Sequence, residues 1–115
     1  MTAGRYDIEI EQGATWSRTI TVEDPNGTPI DLTGYSARMQ VRTAYDASPP
    51  VLSLSSPDAG ISIDPLTGTL ALTASATQTA AMPAGIHVYD LELVIGTTVD
   101  RLVAGRARVY PEATR

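Results

Sequence analysis

The sequence predicts an all-β sandwich, and two observations carry that prediction. Segments in which apolar and polar residues alternate follow one another from Tyr6 to Tyr110, and a period of two residues is typical of half-buried strands. Turn signals interrupt these segments about every 8–12 residues, as they do in antiparallel two-sheet domains. A chain of 115 residues without a repeat or a linker predicts one domain over residues 1–115, with loose ends at 1–5 and 112–115.

Three strands are predicted in the first half of the chain. Apolar residues alternate with acidic ones over residues 6–11, and a second alternating segment spans residues 16–23. The sequence Asp-Pro-Asn-Gly at 24–27 supplies a proline corner and a glycine exit, which together are a strong turn signal. Residues 30–32 are predicted as a short edge segment, and residues 35–42 as a third strand with a polar outer face.

The second half of the chain predicts short strands, one helix and a long hairpin. Short apolar segments predict strands at 51–54, 61–63 and 70–72. Ser75 is a suitable N-cap for the only predicted helix, which spans residues 75–82. Residues 86–95 and 99–110 form the longest predicted strands, and ten residues of strand reach about 33 Å. We therefore expect a long C-terminal hairpin and at most one short helical turn.

The composition excludes several classes of function. All eight cationic residues are arginine and the net charge is −5, so the chain lacks the phosphate-neutralising field that nucleic-acid binding requires. With no cysteine and one histidine it cannot build a zinc site, and without lysine it cannot form a P-loop. We expect no metal and no cofactor. No segment approaches the length of a membrane span, roughly 20 apolar residues, and residues 1–5 show no signal-peptide core. We therefore expect a soluble protein in the cytoplasm of the producing cell.

The sequence predicts no catalytic site. His87 is the only candidate base, and the nearest acid in sequence, Asp90, lies three positions along the same predicted strand and so on its opposite face. We interpret His87 as a hydrogen-bonded residue at a strand start. Asp90 and Glu92 share one face about 6.6 Å apart, a spacing compatible with an inverting glycosidase. Acids that alternate with Leu91 and Leu93 are also the normal outer face of a strand, and we favour that interpretation.

Two other groups have the composition of ligand sites. Trp16 could stack on a sugar, but its place on the same face as Ile20 and Val22 favours burial in the core. The other candidate sugar contacts are exposed tyrosines, at Tyr35, Tyr45 and Tyr110. Oxygen ligands of the kind Ca²⁺ prefers surround one turn, at Glu23, Asp24, Asn26 and Asp31. Because the calcium-loop motif is missing, we interpret these residues as turn formers.

The outer faces of the predicted strands differ in the sign of their charge. The first strand carries acids, and two later strands carry cations: Asp7, Glu9 and Glu11 against Arg38, Arg42, Arg106 and Arg108. Opposite charges on neighbouring strands contribute roughly 0.2–1 kcal/mol per pair. If these strands are not neighbours within one molecule, the stripes could meet between copies and set their register. These seven residues are the candidate assembly contacts, although an intramolecular or solvated role is the favoured interpretation.

The order of turn and core residues resembles a known group of proteins. Gln-Gly-Ala-Thr-Trp at 12–16 leads into the strand at 19–22, and the turn at 24–27 leads into the segment 30–42. A similar order of turn and core residues continues downstream, at 60–64, 68–70, 89–93 and 105–109. This order resembles the small immunoglobulin-like proteins of tailed bacteriophages and prophages. It is similar to the N-terminal domains of phage baseplate upper proteins.

The resemblance covers nearly the whole chain and implies both a fold and a role. The implied fold is an immunoglobulin-like antiparallel β-sandwich, and the implied role is that of a non-enzymatic structural protein of the virion. Tail or baseplate attachment is the first expectation and capsid decoration the second. The implied partners are other virion proteins and further copies of the chain. A carbohydrate-binding module that contacts a host glycan is the alternative from another class, and it predicts aromatic side chains aligned on one exposed face.

Overall fold

The computed structural model describes residues 4–57 and 59–114, and in this part of the chain it contains nine strands and one short helix. The strands and the helix are, in chain order, β1 (Gly4–Arg5), β2 (Ile8–Glu11), β3 (Trp16–Thr21), β4 (Ser36–Arg42), β5 (Leu52–Ser55), β6 (Ile61–Asp64), β7 (Thr69–Ala74), α1 (Ala76–Ala80), β8 (Gly85–Ile95) and β9 (Thr98–Tyr110). Most of these elements coincide with the segments predicted from alternation and turn signals.

The strands form two sheets. The larger sheet has the order β1-β9-β8-β4-β5, and β2 also pairs with β9. The smaller sheet has the order β3-β7-β6. In immunoglobulin terms, β3, β6 and β7 occupy the places of strands B, D and E, while β4, β8 and β9 occupy those of C, F and G. The predicted immunoglobulin-like sandwich is therefore confirmed.

The first two strands depart from the predicted antiparallel arrangement. Both β1 and β2 run parallel to β9, with Arg5 opposite Ala104 and Glu9 opposite Arg108. Parallel neighbours require a long connection, and here all the chain between β2 and β9 provides it. Gly4–Arg5, which the sequence assigns to a loose end, is instead paired in the larger sheet. Residues 1–3 and 115, which belong to the two predicted loose ends, lie outside the described residues.

The long hairpin and the short helix are present as predicted. Strands β8 and β9 pair along almost their full length. The Ser75 hydroxyl accepts a hydrogen bond from the Gln78 backbone N–H, and the Gln78 side chain accepts one from the Ser75 N–H. This capping box satisfies two donors at the helix start and confirms the predicted N-cap. None of the described residues belongs to a helix long and apolar enough to cross a membrane.

The core lies between the two sheets and is filled by the inward residue of each alternating pair. In β8 the inward side chains of Tyr89, Leu91 and Leu93 are at most 3% exposed. Trp16 reaches the core from β3 and is 5% exposed, so its predicted burial is confirmed. Because inward side chains fill the space between the sheets, a partner can contact a sheet only at its outer face or its edge.

Residues 30–32, predicted as an edge segment, form no strand. The Ile30 N–H donates to Val22 O and the Leu32 N–H donates to Pro65 O, each at 2.9 Å. The backbone donors of this segment are therefore satisfied by two other loops instead of a neighbouring strand. These contacts tie residues 22–34 to residues 64–68, and we call the two segments together the loop end. A Cβ built on Gly34 would lie 3.6 Å from Ile95 Cδ1, which places the loop end beside the last residue of β8.

Candidate docking surface

The outer face of the larger sheet gathers the charged residues that the sequence analysis singled out. Strand register places Arg42, Val88 and Arg106 in one row across β4, β8 and β9. The neighbouring row places Ile86 opposite Arg108, which lies opposite Glu9. All seven candidate assembly residues lie on β2, β4 or β9 or in the β1–β2 connection: Asp7, Glu9, Glu11, Arg38, Arg42, Arg106 and Arg108.

The acidic strand β2, together with Asp7 just before it, lies beside the cations of β9 within one molecule. The Arg106 backbone N–H donates to Asp7 Oδ1 at 2.9 Å. That hydrogen bond holds the pKa of Asp7 below its ordinary value of 3.8, against a smaller opposing effect of burial. Because the register also sets Glu9 opposite Arg108, the acidic stripe and the β9 cations are neighbours in the same sheet. A contact between copies is not needed to bring these two stripes together.

Glu9, Arg108 and Tyr110 form a compact cluster at the start of β8. The Tyr110 hydroxyl donates to a carboxylate oxygen of Glu9, and this bond raises the pKa of Tyr110. The Arg108 guanidinium carbon lies 5.0 Å from the centroid of the Tyr110 ring, within the range of a cation–π contact. One charge of the acidic stripe is therefore held by a neighbour in the same chain.

Replacing Asp7 by alanine is expected to lower stability at neutral pH but not in acid. A carboxyl group whose pKa is lowered by folding stabilises the folded state above its unfolded pKa. That stabilisation is lost as the pH falls through the folded pKa, which for Asp7 lies below 3.8. The melting temperatures of the Asp7→Ala variant and the wild type should therefore differ at pH 7 and converge below pH 3.8. A gap of the same size across that range would contradict the assignment, and Asp7→Asn, which keeps an acceptor oxygen, is the control.

A second cluster on the outer face is a network of four charges. Arg38 Nε lies 2.8 Å from Glu92 Oε1. Arg101 reaches both acids, with Nε 3.2 Å from Asp90 Oδ2 and Nη2 3.7 Å from Glu92 Oε2. Burial, and then the charge of Glu92, raises the pKa of Asp90. The two carboxylates that share a glycosidase-like spacing are thus each held by arginine, and cross-strand pairing explains their positions.

A patch that shares Arg108 with the first cluster extends from there toward the second. Ile86 is 57% exposed and Val88 is half-buried. Arg42, Arg106 and Arg108 flank them on the adjoining strands, and none of the three forms an ion pair with another described residue. We call these five residues the arginine patch. The sequence signal is two apolar residues at outward positions, but only the register shows that three arginines surround them.

The loop end is acidic. It carries Glu23, Asp24, Asp31 and Asp64, and no arginine occurs in residues 22–34 or 61–70. Asp24 Oδ1 accepts hydrogen bonds from two backbone N–H groups, of Asn26 at 2.9 Å and Thr28 at 3.0 Å. Those bonds support the interpretation of the predicted oxygen cluster as turn formers. Among the described residues, no group of three or more His, Cys, Asp or Glu side chains could hold a metal ion.

A groove of about 550 Å³ lies between β2 and β3, where the edges of the two sheets approach each other. Glu9, Trp16, Arg18 and Tyr110 contribute to its lining. The Arg18 guanidinium carbon lies 5.7 Å from the Trp16 ring centroid, above an indole that is already buried. The aromatic faces that a sugar would use are therefore largely covered by the protein itself.

His87 lies inside the sandwich, away from the outer face. It is 5% exposed, and its Nε2 atom lies 2.7 Å from Pro83 O. The hydrogen-bonded histidine predicted at the start of this strand is therefore confirmed. Asp90 lies on the outer face of the same strand, so these two groups do not converge.

The comparisons with known proteins agree with this fold. The chain is similar to a solved structure, the N-terminal domain of ORF48 of phage TP901-1, with a TM-score of 0.52 and 16% sequence identity. The match covers 95% of this chain and 98% of that chain. It confirms the likeness to a domain of a phage protein at the level of the fold. No family model matches the chain, and no curated protein matches it.

Proposed function

We propose that this chain is a non-enzymatic structural component of a tailed-phage or prophage virion, associated with the tail or baseplate. The observation that carries the proposal is the likeness to a phage protein domain along nearly the whole of both chains. The resemblance of its turn and core segments to baseplate upper proteins supports the same role. Its partners are other virion proteins and further copies of itself, and before assembly it is soluble in the host cytoplasm.

The chain docks through the outer face of its larger sheet. That face is a rigid platform, because β8 is hydrogen-bonded along its length to β4 on one side and to β9 on the other. Its cations are all arginines, which bind carboxylates bidentately and suit fixed interfaces better than lysines do. The neighbouring acids supply the opposite charge, so the face can define both the position and the register of a partner.

Two alternatives make different predictions. In capsid decoration the chain would dock through the same sheet face, but its partner would be the capsid instead of the tail or baseplate. A carbohydrate-binding module needs exposed aromatic rings on one surface. The most exposed tyrosine, Tyr45 at 69%, follows β4, whereas Tyr6 at 39% lies beside β9 at the other side of the larger sheet. Aromatic side chains placed in this way favour assembly over sugar binding.

Labelling of purified virions tests the proposed function. Particles from the producing strain are purified on a density gradient and examined by immunogold electron microscopy with an antibody against the chain. Gold at the tail or baseplate is the expected result. Gold distributed over the head would replace the proposal with capsid decoration. Absence of the chain from intact particles would overturn both.

A matched pair of variants tests the docking face in the same particles. Arg106→Glu/Arg108→Glu changes the outer face of the larger sheet, and Ser62→Glu/Thr73→Glu adds two carboxylates at exposed positions of the smaller sheet. We expect the first variant to be lost from the particles and the second to be retained. Equal incorporation of the two variants would contradict docking through the larger sheet.

A further inference from the structure

We propose that copies of this chain join end to face, with the acidic loop end of one copy docked on the arginine patch of the next. The inference deepens the proposed function and rests on it for the setting, a structural protein present in repeated copies. It assigns the partner of the patch, which is a second copy of the same chain.

Each of the two surfaces combines an exposed apolar side chain with charges of one sign. Leu66 is 79% exposed on the loop end, two residues after Asp64. Ile86 is 57% exposed on the arginine patch, beside Arg108. Docking removes both apolar side chains from water while the charges around them form opposite-sign pairs. An apolar centre with a polar rim is the usual arrangement of a protein interface.

The charges that remain uncommitted select the loop end as the occupant. Within the acidic stripe of β2, Glu9 is bound by the Tyr110 hydroxyl and Asp7 by the Arg106 backbone N–H. On the loop end, Asp24 and Asp31 also accept hydrogen bonds within their own turns. The exposed carboxylates of Glu23 and Asp64 are different, because they have no hydrogen-bond or ion-pair partner among the described residues. With no arginine in residues 22–34 or 61–70, the loop end is the acidic surface available to the patch, and charge complementarity fixes which surfaces meet.

The two surfaces cannot meet within one molecule. The patch lies at the start of β8, at Ile86, and the loop end lies beside its last residue, Ile95. Nine residue steps of strand separate these positions by about 30 Å. The molecule itself is 43 Å long and about 25 Å across. A contact between the two surfaces therefore needs a second copy.

Such a contact is heterologous, because it joins two different surfaces of identical chains. Each copy offers one loop end and one patch, so every copy can bind a neighbour at each surface. Heterologous contacts generate a ring if the rotation between neighbours closes and an open stack if it does not. Either product presents the chain in a repeated array.

Charge reversal tests the inference in purified protein. Sedimentation velocity is measured on the wild type, on the patch variant Arg106→Glu/Arg108→Glu, and on the end variant Glu23→Arg/Asp64→Arg. We expect the wild type to associate, and each variant alone to associate at least about tenfold more weakly. An equimolar mixture should recover association, because the reversed patch of one variant fits the reversed end of the other. The chain that carries all four substitutions keeps the net charge of the wild type and should also associate.

A second substitution tests the apolar contact without disturbing the fold. Leu66→Ser removes an exposed side chain, so the melting temperature should stay the same while association weakens severalfold. A wild type that stays monomeric up to about 1 mM, a concentration that reveals even weak contacts, would overturn the inference. Association that survives both charge reversals would overturn it as well. Either failure leaves the virion labelling result intact, whereas self-association without virion labelling would refute only the proposed function.

Discussion

Gly68→Ala is expected to destabilise the protein by about 2–5 kcal/mol, the sum of a left-handed backbone penalty and overpacking against fixed atoms. Gly68 has a φ of +64°, and a Cβ at this position would lie 2.7 Å from Ile30 O and 2.8 Å from Val22 O. Both oxygens belong to the backbone, and Val22 O already accepts the Ile30 N–H. The added methyl group can therefore be accommodated only if the loop end opens. Equilibrium unfolding in denaturant measures the loss.

Gly27→Ala is the matched control for this substitution. Gly27 has a similar φ of +81°, but a Cβ there would meet nothing within 4 Å. Its cost should be limited to the left-handed conformation, about 1–2 kcal/mol. Equal losses in the two variants would show that the close backbone approach at Gly68 does not hold the loop end together.

The strands were predictable because one face of each is buried. In β8, for example, Tyr89 and Leu91 point inward and Asp90 points outward. The alternation of apolar and polar residues in the sequence predicts this pattern of burial. Alternation also predicts Trp16 as a core residue. Ser75 is predicted as a helix cap because serine is a preferred N-cap residue. Each of these features depends on residues within a few positions of one another.

The direction of β2 and the strand that it pairs with were not predictable in this way. Alternation shows which face of residues 8–11 is buried, but it carries no information about the strand beside them. The pairing with β9 joins residues about 100 positions apart, such as Asp7 and Arg106. The register of that pairing decides that the acidic stripe meets arginines in its own molecule. For the same reason the sequence does not predict the arginine patch, which depends on the register of β4, β8 and β9.

The segment at residues 30–32 illustrates a second limit. A buried Leu32 beside exposed neighbours gives the same alternation in a strand and in a loop that is anchored at intervals. The difference lies in the hydrogen-bond partners, since Leu32 donates to Pro65 O across the loop end. Sequence periodicity reports burial, and it does not report which backbone group receives each N–H.

The charged face depends on how closely the β1–β2 connection approaches β9. The Tyr89 hydroxyl donates to Tyr6 O, and burial raises the pKa of Tyr89, so the hydroxyl keeps its proton well above neutral pH. The Tyr6 N–H donates to Ala104 O at 3.1 Å. Asp7 then binds the Arg106 N–H. These bonds hold the connection against β9, the strand that carries two of the three arginines of the arginine patch.

Gly105→Ala is expected to force this connection away from β9. A Cβ on Gly105 would lie 2.5 Å from Tyr6 O and 2.7 Å from Asp7 Oδ1. Overpacking of this kind costs about 1–3 kcal/mol, and here a backbone oxygen must move. We expect lower stability in denaturant unfolding and faster hydrogen exchange at the amides of Tyr6 and Arg106, which lose their partners first. As the β1–β2 connection loosens, assembly through the larger sheet should weaken as well.

Gly4→Ala separates this close approach from a general effect of adding a methyl group to β1. A Cβ on Gly4 would meet its nearest atoms at 3.7 Å, an ordinary van der Waals distance. Its stability should therefore stay within about 0.5 kcal/mol of the wild type, as for other surface substitutions, and amide exchange at Arg106 should be unchanged. If the two alanine variants have the same stability and amide exchange, the contact between Gly105 and the β1–β2 connection does not hold β1 and β2 against β9. If only Gly105→Ala loosens it, the charged face is positioned by a single small residue at the centre of β9.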